Sequence, residues 1–139
     1  MAVVTDIDHF SEVITHATAP AFMLGAVAGF LSILVARLER VADNNKSLQM
    51  SGVERDLANR LAAAFARRME LLSRAILLAV LSALTTAALL IVAFLAALSG
   101  LGHGRVVALM LTVALVLLIA SLVELVLELR VYMAHMHLK

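Results

Sequence analysis

Three stretches of the chain stay apolar for long enough to cross a bilayer, and the charged positions fall between them instead of alternating with the apolar ones. They run 17–36, 75–98 and 106–127. A hydrocarbon core takes about 20 apolar residues of helix. Backbone N–H and C=O groups in lipid must be satisfied within the segment, so each stretch is predicted to be a helix. The strands of a membrane β-barrel would alternate polar and apolar positions, which these stretches do not do.

The connections differ in kind. Residues 99–105 form a short glycine-rich outer turn containing Gly100, Gly102 and Gly104, which makes the second and third helices antiparallel neighbours. Residues 37–74 are long and charged, and read as helix around a turn at Asp43-Asn44-Asn45-Lys46. Ser51 with Glu54 fits a capping box, and Val53, Leu57, Leu61, Phe65 and Leu72 then recur at helical spacing. Asp56 with Arg60, and Glu70 with Arg74, stand four apart and support that helix. No Gly or Pro interrupts Val53 to Leu98, which predicts one helix of about 45 residues, its first half outside the membrane. Residues 1–16 place Val3, Ile7, Phe10 and Ile14 on one face and Asp6, His9, Glu12 and His16 on much of the other, the pattern of a short interfacial helix. Pro20 is then expected to open the first spanning helix.

The expected fold is therefore all-α: a three-transmembrane-helix bundle with a cytoplasmic helical extension and a short N-terminal interfacial helix. Composition agrees. The 139 residues are 63% hydrophobic, with a mean hydropathy of +1.03, more apolar surface than a soluble domain of this size could hide. A net charge of +1 gives no basic face for nucleic acid. With no cysteine, disulfides, thiol catalysis, iron–sulfur ligation and covalent haem attachment are excluded. No positive region precedes the first apolar run, so a cleaved leader is not expected.

Charge sets the expected orientation. Arg37, Arg40, Lys46, Arg55, Arg60, Arg67, Arg68 and Arg74 crowd the long connection, whereas residues 1–16 hold no Lys or Arg and the glycine-rich turn only Arg105. The positive-inside rule places the connection and the tail, 128–139, in the cytoplasm and the N-terminus outside. Tyr132 is then an interfacial anchor.

The sequence also resembles a bacterial family of small membrane proteins, the domain-of-unknown-function family numbered twenty-seven twenty-one. The resemblance spans roughly Ile14 to Ala134. It rests on Ala19-Pro20, on Arg37-Leu-Glu-Arg40, on Arg67-Arg68 followed by Arg74-Ala-Ile-Leu-Leu, and on Glu128-Leu-Arg130. It implies a topology and no established activity. Glu124 and the histidines of Met133-Ala-His135-Met-His137 are not carried over to the family.

Candidate chemistry is sparse. Ala21, Gly25 and Gly29 form a small-residue stripe that suits close helix–helix contact, within the bundle or between protomers. Glu124 and Glu128 sit one turn apart near the end of the third span, and a carboxylate at that depth needs a partner, a proton or water. Arg37 and Arg74 lie at similar depth, so a structural ion pair with either is expected. The rival is a ring of carboxylates lining a cation path. His9, Glu12 and His16 are spaced to hold a metal ion on the outer side, or simply to form a solvated face. His103 falls on the same side, and His135 and His137 read as an exposed tail. The spans carry no interior His for haem, and their Ser and Thr suit helix packing better than catalysis.

These features point to a structural or accessory subunit of the bacterial inner (plasma) membrane, not an enzyme and without cofactor. It would act through helix–helix contacts in a homo-oligomer or a larger membrane complex. The alternative is an oligomeric cation channel or small transporter using Glu124 or Glu128; a third is periplasmic metal binding.

Overall fold

A computed structural model describes residues 2–52, 55–99 and 104–136. The described residues fold into three helices: α1, Ala2–Met50; α2, Arg55–Ser99; and α3, Gly104–Met136. At 1.5 Å per residue they are about 73, 67 and 50 Å long, each well beyond the ~30 Å of a hydrocarbon core. All three contain a segment long and apolar enough to cross a membrane. The uninterrupted helix expected from about Val53 to Leu98 is α2, of 45 residues.

Two sequence expectations differ from what α1 does. No break separates an interfacial helix at 1–16 from a spanning helix opened by Pro20; α1 runs straight through both, with Pro20 inside it. Proline deprives only one carbonyl, that of residue 16, of its helical donor, and a long membrane helix supported by its neighbours tolerates one such loss. Pro20 is itself buried. It begins a row at seven-residue steps that continues with Val27, Leu34 and Val41, all buried, so packing holds the helix where the missing bond weakens it. Nor does α1 turn at Asp43–Lys46; it continues to Met50. The turn falls instead at Ser51-Gly52, where Gly52 takes a left-handed φ of 63°, a conformation that glycine adopts without steric cost. Ser51 closes α1: its hydroxyl and its N–H both return to the Leu48 carbonyl, at 3.0 and 3.4 Å. Glu54, the other half of the expected capping box, lies outside the described residues, as do Val53 and 100–103 of the glycine-rich turn.

Helix α2 is the centre of the bundle. It packs along both neighbours, while α1 and α3 touch each other at few points. Its buried residues are Leu72, Ala75, Ala79, Ser82, Thr86 and Leu89, alternating steps of three and four as in a coiled-coil seam. On α3 the buried row is Ala114, Ser121 and Glu128, at steps of seven. Leu57, which the helical spacing put on the apolar face, is 53% exposed; it lies beyond the end of this seam. Phe65 and Met69 pack against a cluster of Leu34, Val41, Leu72, Ala75 and Ala79.

Between the helices, Ala75, Ala79, Ser82, Thr86, Ala114 and Ser121 are buried beside Val27, Leu34, Val41, Leu72 and Leu89, while Phe22, Leu77, Leu84, Phe94, Leu109 and Ile119 face outward, each more than half exposed. In water such a surface would aggregate. In lipid it is the favoured arrangement, because small residues let backbones approach and large aliphatic ones lose nothing by facing acyl chains.

Candidate functional site

The seam between α2 and α3 carries three polar rungs, spaced seven residues apart on each helix and running in opposite directions. Ser82 Oγ donates to the Ala114 carbonyl at 2.8 Å. Seven residues away on each helix, Ser121 Oγ donates to the Ala75 carbonyl at 2.7 Å. Seven further, Arg68 meets Glu128. Heptad spacing keeps one stripe of each helix turned to the other, so all three rungs share one pairing of the helices. Thr86, on the stripe facing α1, donates to the Ser82 carbonyl at 2.8 Å and lies 4.0 Å from the Met23 sulfur.

The charged rung is where all three helices converge. Glu128 is fully buried. Its Oε1 accepts from Arg68 Nε at 2.9 Å and lies 2.8 Å from Arg68 Nη2 in the ion pair. Its Oε2 accepts from Arg37 Nη1 at 3.0 Å. Both carboxylate oxygens are thus held by charge-assisted bonds, from α2 on one side and α1 on the other. The two guanidinium groups differ in exposure: the Arg68 side chain is 16% accessible and that of Arg37 37%. The Arg68 guanidinium also lies over the Tyr132 ring, 4.7 Å from its centre, a cation–π contact one turn beyond Glu128. No buried side-chain nitrogen or oxygen is left without a hydrogen bond among the described residues.

The structure thus brings together Arg37 and Glu128 of the expected charge group, and adds Arg68. It does not bring Glu124 to Arg37 or Arg74. Arg74 reaches back to Glu70 at 2.6 Å, with both side chains more than half exposed, because residues four apart on one helix meet without any tertiary geometry. Glu124 is half-buried and has no ion pair among the described residues; Arg37 is taken by the carboxylate one turn further on. Arg68 was missed as a site residue, though its spacing reveals it: it lies seven residues before Ala75 and fourteen before Ser82, on the stripe of small residues of α2. Tyr132, expected as an interfacial anchor, is 40% exposed and lies beneath Arg68.

Ala21, Gly25 and Gly29 are exposed. A Cβ added at Gly25 or Gly29 would meet nothing within 4 Å. The stripe therefore faces away from α2 and α3 and is not the seam of the bundle. The side chains of His9, Glu12, His16 and His135 lie outside the described residues, as do His103 and His137 altogether. Among the described residues no three metal-ligating side chains come together. Ser121, the hydroxyl nearest Glu124 in sequence, donates its proton to a backbone carbonyl.

Three apolar helices, a seam of small and hydroxylated residues and an outward aliphatic surface define a multi-pass α-helical membrane protein. The chain belongs to the family described as protein of unknown function DUF2721, which matches residues 17–138. No curated protein and no solved structure matches it.

Proposed function

We propose that this protein is a structural or accessory membrane subunit that acts through helix–helix contacts, in a homo-oligomer or a larger membrane complex. The observation that carries this reading is the outward stripe Ala21, Gly25 and Gly29, which stands in open space while the other face of α1 is packed. Small residues on an unpacked membrane helix allow another helix to approach its backbone closely. The long α1–α2 connection is cytoplasmic in this reading, with the N-terminus outside and the chain in a bacterial inner membrane, on the strength of its arginine excess. Replacing Gly25 and Gly29 with leucine tests the proposal. The complex formed in mild detergent or nanodiscs should become smaller or less stable; unchanged size and unchanged thermal stability would mean that the stripe faces lipid alone.

One observation favours a second reading. Glu124 is a half-buried carboxylate in an apolar helix with no ion pair among the described residues, and such groups mark ion paths more often than lipid-facing surface. In an oligomeric cation channel or small transporter, Glu124→Gln would change cation flux through reconstituted vesicles while leaving the fold intact.

A further inference from the structure

The charged rung holds more positive charge than it uses. Glu128 offers one negative charge to two guanidinium groups. Arg68 is largely enclosed and turns Nε and Nη2 to that carboxylate and its flat face to Tyr132. Arg37 is the more exposed of the two and engages Glu128 through Nη1 alone. One turn further along α1, on the same side of the helix, Arg40 is exposed and has no ion pair among the described residues. The two arginines stand where the apolar span of α1 ends and where that of α3 gives way to Glu128, at headgroup depth. Arg37 reaches Glu128 across the side on which α1 and α3 have few contacts, and Arg40 is exposed one turn away from it.

We infer that Arg37 and Arg40 form a site for the phosphodiester of an acidic phospholipid at this end of the bundle. A phosphodiester carries the single negative charge that the Arg37–Glu128–Arg68 group lacks. Its two free oxygens match the paired N–H groups of a guanidinium fork. Basic groups between membrane helices at headgroup depth are a recurrent means of retaining such lipids. Of the carboxylates nearby, Asp43 is exposed one turn beyond Arg40 on the same side of α1, further from the apolar span than the pair, and Glu39 is about 200° round the helix from Arg37 and about 100° from Arg40. Glu124 lies one turn deeper on α3, whereas Arg40 lies one turn shallower on α1. A lipid seated here would complete the charge balance of a buried ion group while its acyl chains lie along the outward aliphatic surface.

Native mass spectrometry of the full chain in mild detergent tests this, with phosphatidylglycerol titrated against phosphatidylcholine and with inorganic phosphate as a separate arm. Phosphatidylglycerol should give saturable adducts at concentrations where phosphatidylcholine does not. Arg40→Gln, which breaks no ion pair among the described residues, should weaken that binding on the order of tenfold, the loss expected when a charge-assisted hydrogen bond is removed. Arg130→Gln changes an exposed arginine two residues past Glu128, pointing about 200° away from it, and should weaken binding only a few-fold. Equal losses in the two variants would overturn the site in favour of diffuse surface charge. Inorganic phosphate displacing the lipid at millimolar concentration would overturn the lipid in favour of a free anion. Indifference between the two lipids would overturn both.

Discussion

Replacing Glu128 with glutamine keeps the shape of the side chain and removes the only negative charge between Arg37 and Arg68. Two guanidinium groups then face each other across a buried amide that can accept from one of them but also presents its own NH2 group as a further donor. Breaking a buried ion pair by removing one partner costs about 3–5 kcal/mol, because the remaining charge is left uncompensated. The lower end applies here. Arg37 is 37% exposed and can turn outward, whereas Arg68, at 16%, has less freedom. A loss of about 3 kcal/mol is a factor of roughly 150 in the folding equilibrium. Reversible unfolding of the detergent-solubilised protein, followed by circular dichroism, measures it. The same assay should rank Arg68→Gln above Arg37→Gln, since Arg68 supplies two of the three contacts to the carboxylate and is the more buried. The double variant Glu128→Gln with Arg68→Gln should lose less than the sum of the two single losses, by about 1–3 kcal/mol. A Glu128→Gln protein within about 0.5 kcal/mol of the wild type would refute the claim that this rung carries an ionised carboxylate held by both arginines.

Glu124→Gln should leave stability within about 0.5 kcal/mol of the wild type in the same unfolding assay, because no ion pair is lost; a large loss would reveal a partner that the fold does not display. Ser121→Ala and Ser82→Ala should each cost about 0.6 kcal/mol, the usual worth of a hydrogen bond between membrane helices, and should add when combined, since they occupy separate rungs. Cysteine introduced at Ser51 should resist an impermeant thiol reagent in intact cells while one at Thr5 is labelled; the reverse pattern would invert the proposed orientation.

What the sequence made legible follows the physics of each signal. Apolar length and the absence of breakers are properties of contiguous residues, so the three helices and the single long α2 could be read directly. The end of α1 could not. Asp43-Asn44-Asn45-Lys46 has turn chemistry, but Ser47 donates to the Asn44 carbonyl within the helix, and Gly52 reaches the left-handed conformation more easily than any of those residues. Pro20 misled for a similar reason. Its local penalty was visible, whereas the burial that offsets it depends on α2. Among the charges, depth alone could shortlist Arg37, Arg74, Glu124 and Glu128 but not match them. The choice of Glu128 over Glu124 is made by heptad spacing: Glu128 is seven residues from Ser121 and fourteen from Ala114, in the stripe facing α2, and Glu124 is not.

The convergence of three helices on Glu128 has a consequence for how the chain is made. Synthesis delivers α1 first, and its apolar stretch carries no charge, so it can wait in lipid alone. Arg68 emerges next, at the polar edge of α2, where a long side chain can stay with the headgroups. Glu128 comes last of the three, and its carboxylate meets two arginines already waiting at its own depth. The expensive charge therefore never has to enter the bilayer unaccompanied. The opposite order would strand a carboxylate until its cations arrived, and a circular permutant that begins with α3 should accordingly insert less efficiently than the natural chain.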